Sequence, residues 1–330
     1  MGRAVKKAVL SIAAVAAIAA SIAGTGGASA QSYPVKPIRI VVPQGPSGFT
    51  DLVARPLAKV MGENLGQTFI VENRPGAGII IGCEVVAKAA PDGYTLLVVA
   101  ASFTINPSIT QKLPYDSVRD FSPITQASAF PSVLMVQSTT LVRNIQELLA
   151  YARAHPGKLN YASTGVGTGT HLSMEMLKYM TKVDIVHVPY KGGAPAVNAI
   201  LSGQVQLNFA PIVSTALPHV KTGVLRALAV STAQRWPSIP DVPTMAEAGV
   251  PGYDYASWVG MFAPAKTPSA IINRLWQETA KAARGAEMKA ILARDGAEPI
   301  GNSPEQFAAV VDREIAVWKK VVDAAGIKPD

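Results

Sequence analysis

Cysteine is nearly absent: Cys83 is the only one in 330 residues. One thiol excludes an internal disulfide framework and leaves no CxxC pair for zinc or redox chemistry. In an apolar helical pattern, Cys83 reads as a small core residue. Histidine is almost as scarce. His155, His171, His187 and His219 stand 16, 16 and 32 residues apart, so none belongs to HExxH or another short ligand pair. GxSxG is missing, and no serine is followed by lysine three places on, which removes the common serine-nucleophile patterns. Beyond residue 30 no apolar run approaches the length of about 18 residues that suggests a membrane-spanning helix. No internal repeat or low-complexity segment follows either. Catalysis therefore finds little support, and neither a metal nor a cofactor is expected.

Hydrophobic residues make up 49% of the chain, so a large core, in one or two domains, is within reach. The first thirty residues have the anatomy of a secretory signal peptide. Arg3, Lys6 and Lys7 form a basic head, Ala8 to Gly24 is an unbroken run of small and apolar residues, and Ala28-Ser29-Ala30 is a small-residue cleavage site. Cleavage after Ala30 would leave a soluble protein in the periplasm, beginning at Gln31. Loss of those three basic residues leaves 27 basic against 22 acidic ones, and the net charge falls from +8 to +5. Mild, scattered positive charge suits an anionic ligand and offers no concentrated patch for nucleic acid.

Two stretches organise the rest. In VVPQGPSGFTD, residues 41–51, a buried strand runs into a loop of glycine and proline, and a helical apolar pattern follows at Leu52, Val53, Leu57, Val60 and Met61. Ser47 or Thr50 is placed to cap that helix, and Asp51 suits its first turn. A second unit repeats the plan: KLNYA (158–162) as a strand end, STGVGTGTH (163–171) as a glycine loop, and LSMEMLKYM (172–180) as a helix. Backbone N–H groups at such helix starts make sites for anions. A dinucleotide-binding loop is the rival reading of the second stretch, since Asp184 lies 19 residues past Gly165. It lacks the third glycine of GxGxxG, because Thr170 stands in its place.

Between and after these units the chain alternates strands and helices. Strands are expected at 69–71, 94–100, 185–190, 205–210 and 225–230. Helices are expected at 79–90, 145–154, 196–201, 213–221, 269–283, 286–295 and 304–325. Residues 102–115 read as irregular, with Asn106-Pro107 and Leu113-Pro114 as turns. Two long extended segments, 121–137, broken by Pro131, and 257–265, read as crossings between domains. The expected fold is α/β: two parallel-sheet lobes joined by a two-segment hinge. The first lobe takes 31–130 and 252–330, the second 131–251. Ligands of open parallel sheets bind beyond the carboxyl ends of the strands, where both glycine loops lie. Ser102 and Phe103 follow a strand at that end and are placed to line the cleft.

A series of landmarks now comes into order: the loop at 38–51, ENRPGAG (72–78), APDGYTLL (90–97), KLPYD (112–116), PGKLNYAS (156–163), Thr170-His171, VPYKGGAP (188–195), LRALAV (225–230) and PDVPTMAEAGVPGY (240–253). Together they resemble the extracytoplasmic substrate-binding proteins of tripartite tricarboxylate transporters, the Bug family, over the whole mature chain. The resemblance implies a two-domain periplasmic binding fold of type II kind, a monomer that closes on a small organic acid and hands it to the transporter's membrane subunits. It implies no enzyme. A sensor fed by the same fold is the alternative to uptake.

By position, the resemblance puts the ligand against Ser47, Gly48, Phe49, Thr50 and Asp51 in the first loop. In the second lobe it adds Ser163, Gly165, Gly167, Thr168, Thr170 and His171, and then Tyr190, Lys191 and Gly192. The family commonly carries Gly-Gly-Ser-Thr-Asp where this chain has Ser47-Gly48-Phe49-Thr50-Asp51. Phe49 thus replaces a small hydroxyl residue, which favours an aliphatic or aromatic diacid over a heavily hydroxylated one if the ring faces the cleft. His171, at a helix start, suits hydrogen bonding better than ion pairing. Lys191 could pair with a carboxylate, but it reads sooner as a solvated loop lysine.

Overall fold

The computed structural model describes residues 33–46, 48–211 and 216–327. The expected signal peptide, its cleavage point and Ser47 lie outside the described residues. Among the described residues no helix is long and apolar enough to cross a membrane.

The strands are β1 Ile38–Val42, β2 Phe69–Asn73, β3 Thr95–Ala100, β4 Phe121–Gln137, β5 Asn160–Ser163, β6 Val186–Pro189, β7 Leu207–Pro211, β8 Leu225–Val230, β9 Ala256–Pro264 and β10 Glu298–Pro299. The α-helices, numbered here α1 to α10, are Phe49–Leu65, Ile80–Ala87, Ser102–Ile109, Ile145–Ala154, Gly169–Thr181, Gly193–Leu201, Leu217–Lys221, Ser269–Ala283, Ala286–Arg294 and Pro304–Ala325. The sheet runs β2-β1-β3-β9-β4-β7-β5-β6, with β8 and β10 also paired to β4. In each lobe the outer strands are parallel: β1 with β2 and β3, and β5 with β6 and β7. The two crossing strands pair antiparallel with each other and with their neighbours, so each lobe's sheet is mixed rather than wholly parallel. Helices cover both faces, which is why β1 and β3 read as nearly continuous apolar runs: Ile38, Ile40, Val41, Val42 and Leu96 to Val99 are all wholly buried.

β4 carries the chain from one lobe to the other in a single strand of 17 residues. Its first part, Phe121 to Pro131, pairs with β9, and Ser132 to Gln137 pair with β7 and β8. The expected break at Pro131 is absent. Proline has no N–H for a ladder, and Pro131 sits where β4 changes partners, so the strand runs on through it.

Residues 102–109 are helical, not irregular. The sequence hides this helix because nearly all of its first turns are buried: Phe103, Thr104, Ile105 and Asn106. Without a polar face there is no 3.6-residue alternation to read. Pro107 lacks the N–H that would reach the Phe103 carbonyl, and Ser117 Oγ donates to that carbonyl at 3.4 Å instead.

The last helix, α10, serves both lobes. Ser303 and Gln306 form a capping box at its start, with Pro304 in the first turn. Phe307 and Val311 pack with Phe103, Trp258 and Phe262. Trp318, Val321 and Val322 pack with Met174, Leu177, Tyr253 and Tyr255. Gly260 makes the first contact possible, since a Cβ there would lie 2.3 Å from Phe307 Cζ.

Candidate functional site

A cavity of about 440 Å³ opens at the carboxyl ends of the strands. The first loop lines it with Gln44, Gly45, Pro46, Gly48, Phe49 and Thr50; the end of β3 and the start of α3 add Ala100, Ala101, Ser102 and Ile105. The crossing strands supply Phe130, Tyr255, Ser257, Trp258 and Val259, and the second lobe supplies Gly169. Among these described residues none carries a charged side chain.

Three helices begin at this cavity, and among the described residues none has a side chain capping its first turn. The N-cap of α1 is Gly48 in an extended conformation, that of α3 is Ala101, and that of α5 is Thr168, each without a side-chain cap. Of the expected caps, Thr50 is not what the fold uses at α1, since it lies inside the helix and is buried. First-turn N–H groups have no partner inside their own helix. They concentrate the positive end of the helix dipole, so uncapped starts facing a cavity form an anion site made of backbone. One buried donor adds to it: Ser102 Oγ has no hydrogen-bond partner among the described residues, whereas Gln44 Oε1, likewise without one, is an acceptor that an anion does not pair. Buried polar atoms are paired as a rule, and Ser102 lies where a ligand would pair it.

The opposite character comes from the rings. Phe49 lines the cavity and meets Phe130 edge to face, with centroids 4.8 Å apart. Trp258, Ile105 and Tyr255 extend the apolar wall. Phe103, by contrast, points into the core, wholly buried against Tyr115, Phe121 and Phe262. Asp51 lies behind the first loop rather than in the cavity lining. It is buried and accepts from Arg55 Nε at 2.9 Å and from Asn73 Nδ2 at 3.0 Å. Asn73 Nδ2 also donates to the Gln44 carbonyl at 3.0 Å, so Asp51 and Asn73 tie β2 to the loop.

The second glycine loop touches the cavity at Gly169 and is otherwise held from behind. Ser163 is wholly buried, and its Oγ accepts from the Gly165 N–H at 3.1 Å. The same oxygen lies 2.6 Å from His187 Nε2. Such a pair resembles half of a hydrolase site, but a hydroxyl sealed from solvent pins a loop and attacks nothing. Thr168 Oγ1 donates to the Gly165 carbonyl at 2.7 Å, and Thr170 Oγ1 accepts from the Thr164 N–H at 2.9 Å. His171 Nδ1 accepts from the Gly167 N–H at 3.0 Å, a hydrogen-bonding role that needs the neutral ring. Burial, then the neighbouring His187 and Lys178, lower its pKa to about 3. The His171 and His187 rings stack at 4.0 Å, and burial lowers His187 too. Beneath them Glu175 accepts from Tyr161 and Lys178, each at 2.7 Å. Tyr190, the exposed Lys191 and Gly192, the N-cap of α6, follow β6 and lie outside the cavity lining; the Tyr190 N–H donates to the Ser163 carbonyl of this loop at 3.0 Å.

The residues that sequence reasoning missed are Gln44, Gly45, Ala100, Ala101, Ile105, Phe130, Tyr255, Ser257, Trp258 and Val259. Gln44 and Gly45 lay inside a loop already singled out, and Ala100 ends β3 with Ala101 following it. The others belong to the crossing strands or to the hidden helix. One signal was available: a hinge strand between two lobes must pass the floor of any cleft between them.

Comparison with known proteins agrees with this geometry. Residues 53–327 match the family described as the tripartite tricarboxylate transporter family receptor. Protein BugT of Bordetella pertussis is 35% identical over 299 residues, covering 90% of this chain and 91% of BugT. Among solved structures, R. palustris Rpa4515 with adipate is 37% identical with a TM-score of 0.72, covering 90% of this chain and 100% of that one. MatC (Rpa3494) from Rhodopseudomonas palustris with bound malate is 34% identical with a TM-score of 0.69, covering 88% of this chain and 100% of that one.

Proposed function

The chain belongs to the tripartite tricarboxylate transporter receptor family, the periplasmic solute-binding receptors that are not enzymes, and from that premise we propose that it captures a small dicarboxylate between its lobes. The acid is then delivered to the membrane subunits of a tripartite transporter. The observation that carries this reading is the set of uncapped helix starts, α1, α3 and α5, around a cavity lined by no charged side chain. Anionic groups are then recognised by backbone N–H and by Ser102 rather than by an arginine clamp. One acid group meets α1 and α3; the other meets the start of α5 when the lobes close. Phe49 and Phe130 face the ligand's body, which favours an aliphatic or aromatic diacid over citrate. Adipate in a relative 37% identical supports that choice. Export with cleavage after Ala30 belongs to the same reading, and intact mass of periplasmic protein tests it.

A thermal-shift panel of succinate, adipate, citrate, terephthalate, glutamate, nicotinate and a neutral sugar decides the ligand class. Ligand at a hundred times its dissociation constant adds about 2.7 kcal/mol of stability. A shift with the sugar alone overturns the acid; a shift with citrate but with neither adipate nor terephthalate overturns the role of Phe49.

A further inference from the structure

Glu314 lies midway along α10, between the part of the helix packed on the first lobe and the part packed on the second. It is 7% exposed and sits behind the cavity floor. Trp258, a residue of the cavity lining, donates its indole N–H to Glu314 Oε1 at 3.0 Å and to Oε2 at 3.1 Å. Thr104 Oγ1 lies 2.7 Å from Glu314 Oε2 and 2.8 Å from the Ala101 carbonyl. Ala101 and Ser102 line the cavity at the start of the same helix, α3.

Burial bears on what this cluster holds. Among the described residues no cation lies within ion-pair distance of Glu314, Arg313 being paired with Asp254, and a buried carboxylate without a counter-ion is costly. With a proton on Oε2, Oε2–H donates to Thr104, the Thr104 hydroxyl donates to the Ala101 carbonyl beside its own N–H, and the Trp258 indole donates to Oε1.

We propose that Glu314 is a positioning residue of the ligand cleft: as a neutral acid it ties α10 to the first turn of α3 and to Trp258, and so fixes the floor on which the ligand rests. Burial agrees, pushing the Glu314 carboxyl up to about 7. Thr104, Trp258 and Arg313 oppose that rise and Asp254 adds to it. Arg313, the charged neighbour on α10, is paired with Asp254 of the return crossing at 3.2 Å. Tyr255 also faces the cluster, and burial keeps its phenol neutral well above the working range. Loss of the proton would turn the Thr104 hydroxyl from the Ala101 carbonyl to Glu314 and leave a charge in the core, loosening the start of α3 where Ser102 lines the cavity.

The inference rests on the reading of this cleft as the ligand site, and its test separates the two. In ligand-free protein the Trp258 indole N–H resonance, assigned with Trp258→Phe, should titrate with a midpoint near pH 7. In Glu314→Gln, whose amide both donates and accepts, it should stay flat. Adipate affinity of the wild type should fall about fivefold more than that of Glu314→Gln between pH 6.5 and 8.5, the variant correcting for titration of adipate itself. A flat wild-type resonance, or equal affinity slopes in the two proteins, overturns the proposal. If wild-type protein binds no acid of the panel, the dicarboxylate reading falls instead, and the indole titration still decides where the proton sits.

Discussion

Gly48→Asp should abolish ligand binding while leaving the fold intact. A Cβ at Gly48 would lie 3.5 Å from the Gly45 carbonyl oxygen, an ordinary contact. The backbone there is extended, with φ −73° and ψ 163°, a conformation any L-residue adopts. Aspartate is also a favoured N-cap: its carboxylate would accept from the first-turn N–H groups of α1, adding a few tenths of a kcal/mol over glycine. That is the source of the defect. The new carboxylate occupies the donors intended for the ligand's acid group and repels it. Two like charges about 4 Å apart cost roughly 4 kcal/mol at an effective dielectric constant near 20, which is about a thousandfold in affinity. Calorimetric titration with adipate measures the loss, and urea unfolding measures stability, expected within about 0.5 kcal/mol of wild type. Gly48→Asn is the control, since it caps as well and carries no charge; its affinity should fall about tenfold or less. Binding by Gly48→Asp within threefold of wild type would show that the start of α1 does not hold the ligand. Equal losses in both variants would show that space, not charge, is the cause.

Phe49→Ser should lower adipate affinity about tenfold through lost apolar contact and improve citrate relative to adipate; an unchanged ratio of the two affinities would place the ring outside recognition. The His171 linkage has a definite sign. The unfolded ring binds a proton below its ordinary value of 6.5, while the folded ring stays neutral until about pH 3. Stability therefore falls as pH drops from about 6.5 towards 3, by up to roughly 4 kcal/mol; urea unfolding should show this slope reduced in His171→Gln, and a slope equal to wild type counts against it. Gly260→Ala should destabilise by about 1–3 kcal/mol, because its methyl would meet the buried Phe307 ring at 2.3 Å; a wild-type midpoint would mean that α10 shifts without cost.

Local chemistry was legible in the chain itself. Residues 145–154 form the expected helix to the residue, because Asn144 caps it by accepting from the Glu147 N–H at 2.8 Å, three residues on. The helix 304–325 follows from Ser303, Pro304, Gln306 and the closing Gly326 in the same way. Both glycine loops and the α/β order were readable too, since strand runs, turn residues and helix periods are signals within a few neighbours. The family landmarks likewise stand in the sequence. Contacts between distant residues were not readable. Residues 102–109 fold as a helix because Thr104 reaches Glu314, 210 positions away, and because the core takes in Phe103, Thr104, Ile105 and Asn106 together. His171 and His187 sit on separate elements, and only the pairing of β5 with β6 stacks them. The cavity floor is built from Phe130, Tyr255 and Trp258, which look like core residues of two ordinary strands. They meet the cavity because β4 and β9 cross between the lobes side by side. Propensity and capping act along the chain, whereas a cleft is defined by which strands lie next to each other, and that is settled by burial of the whole core at once.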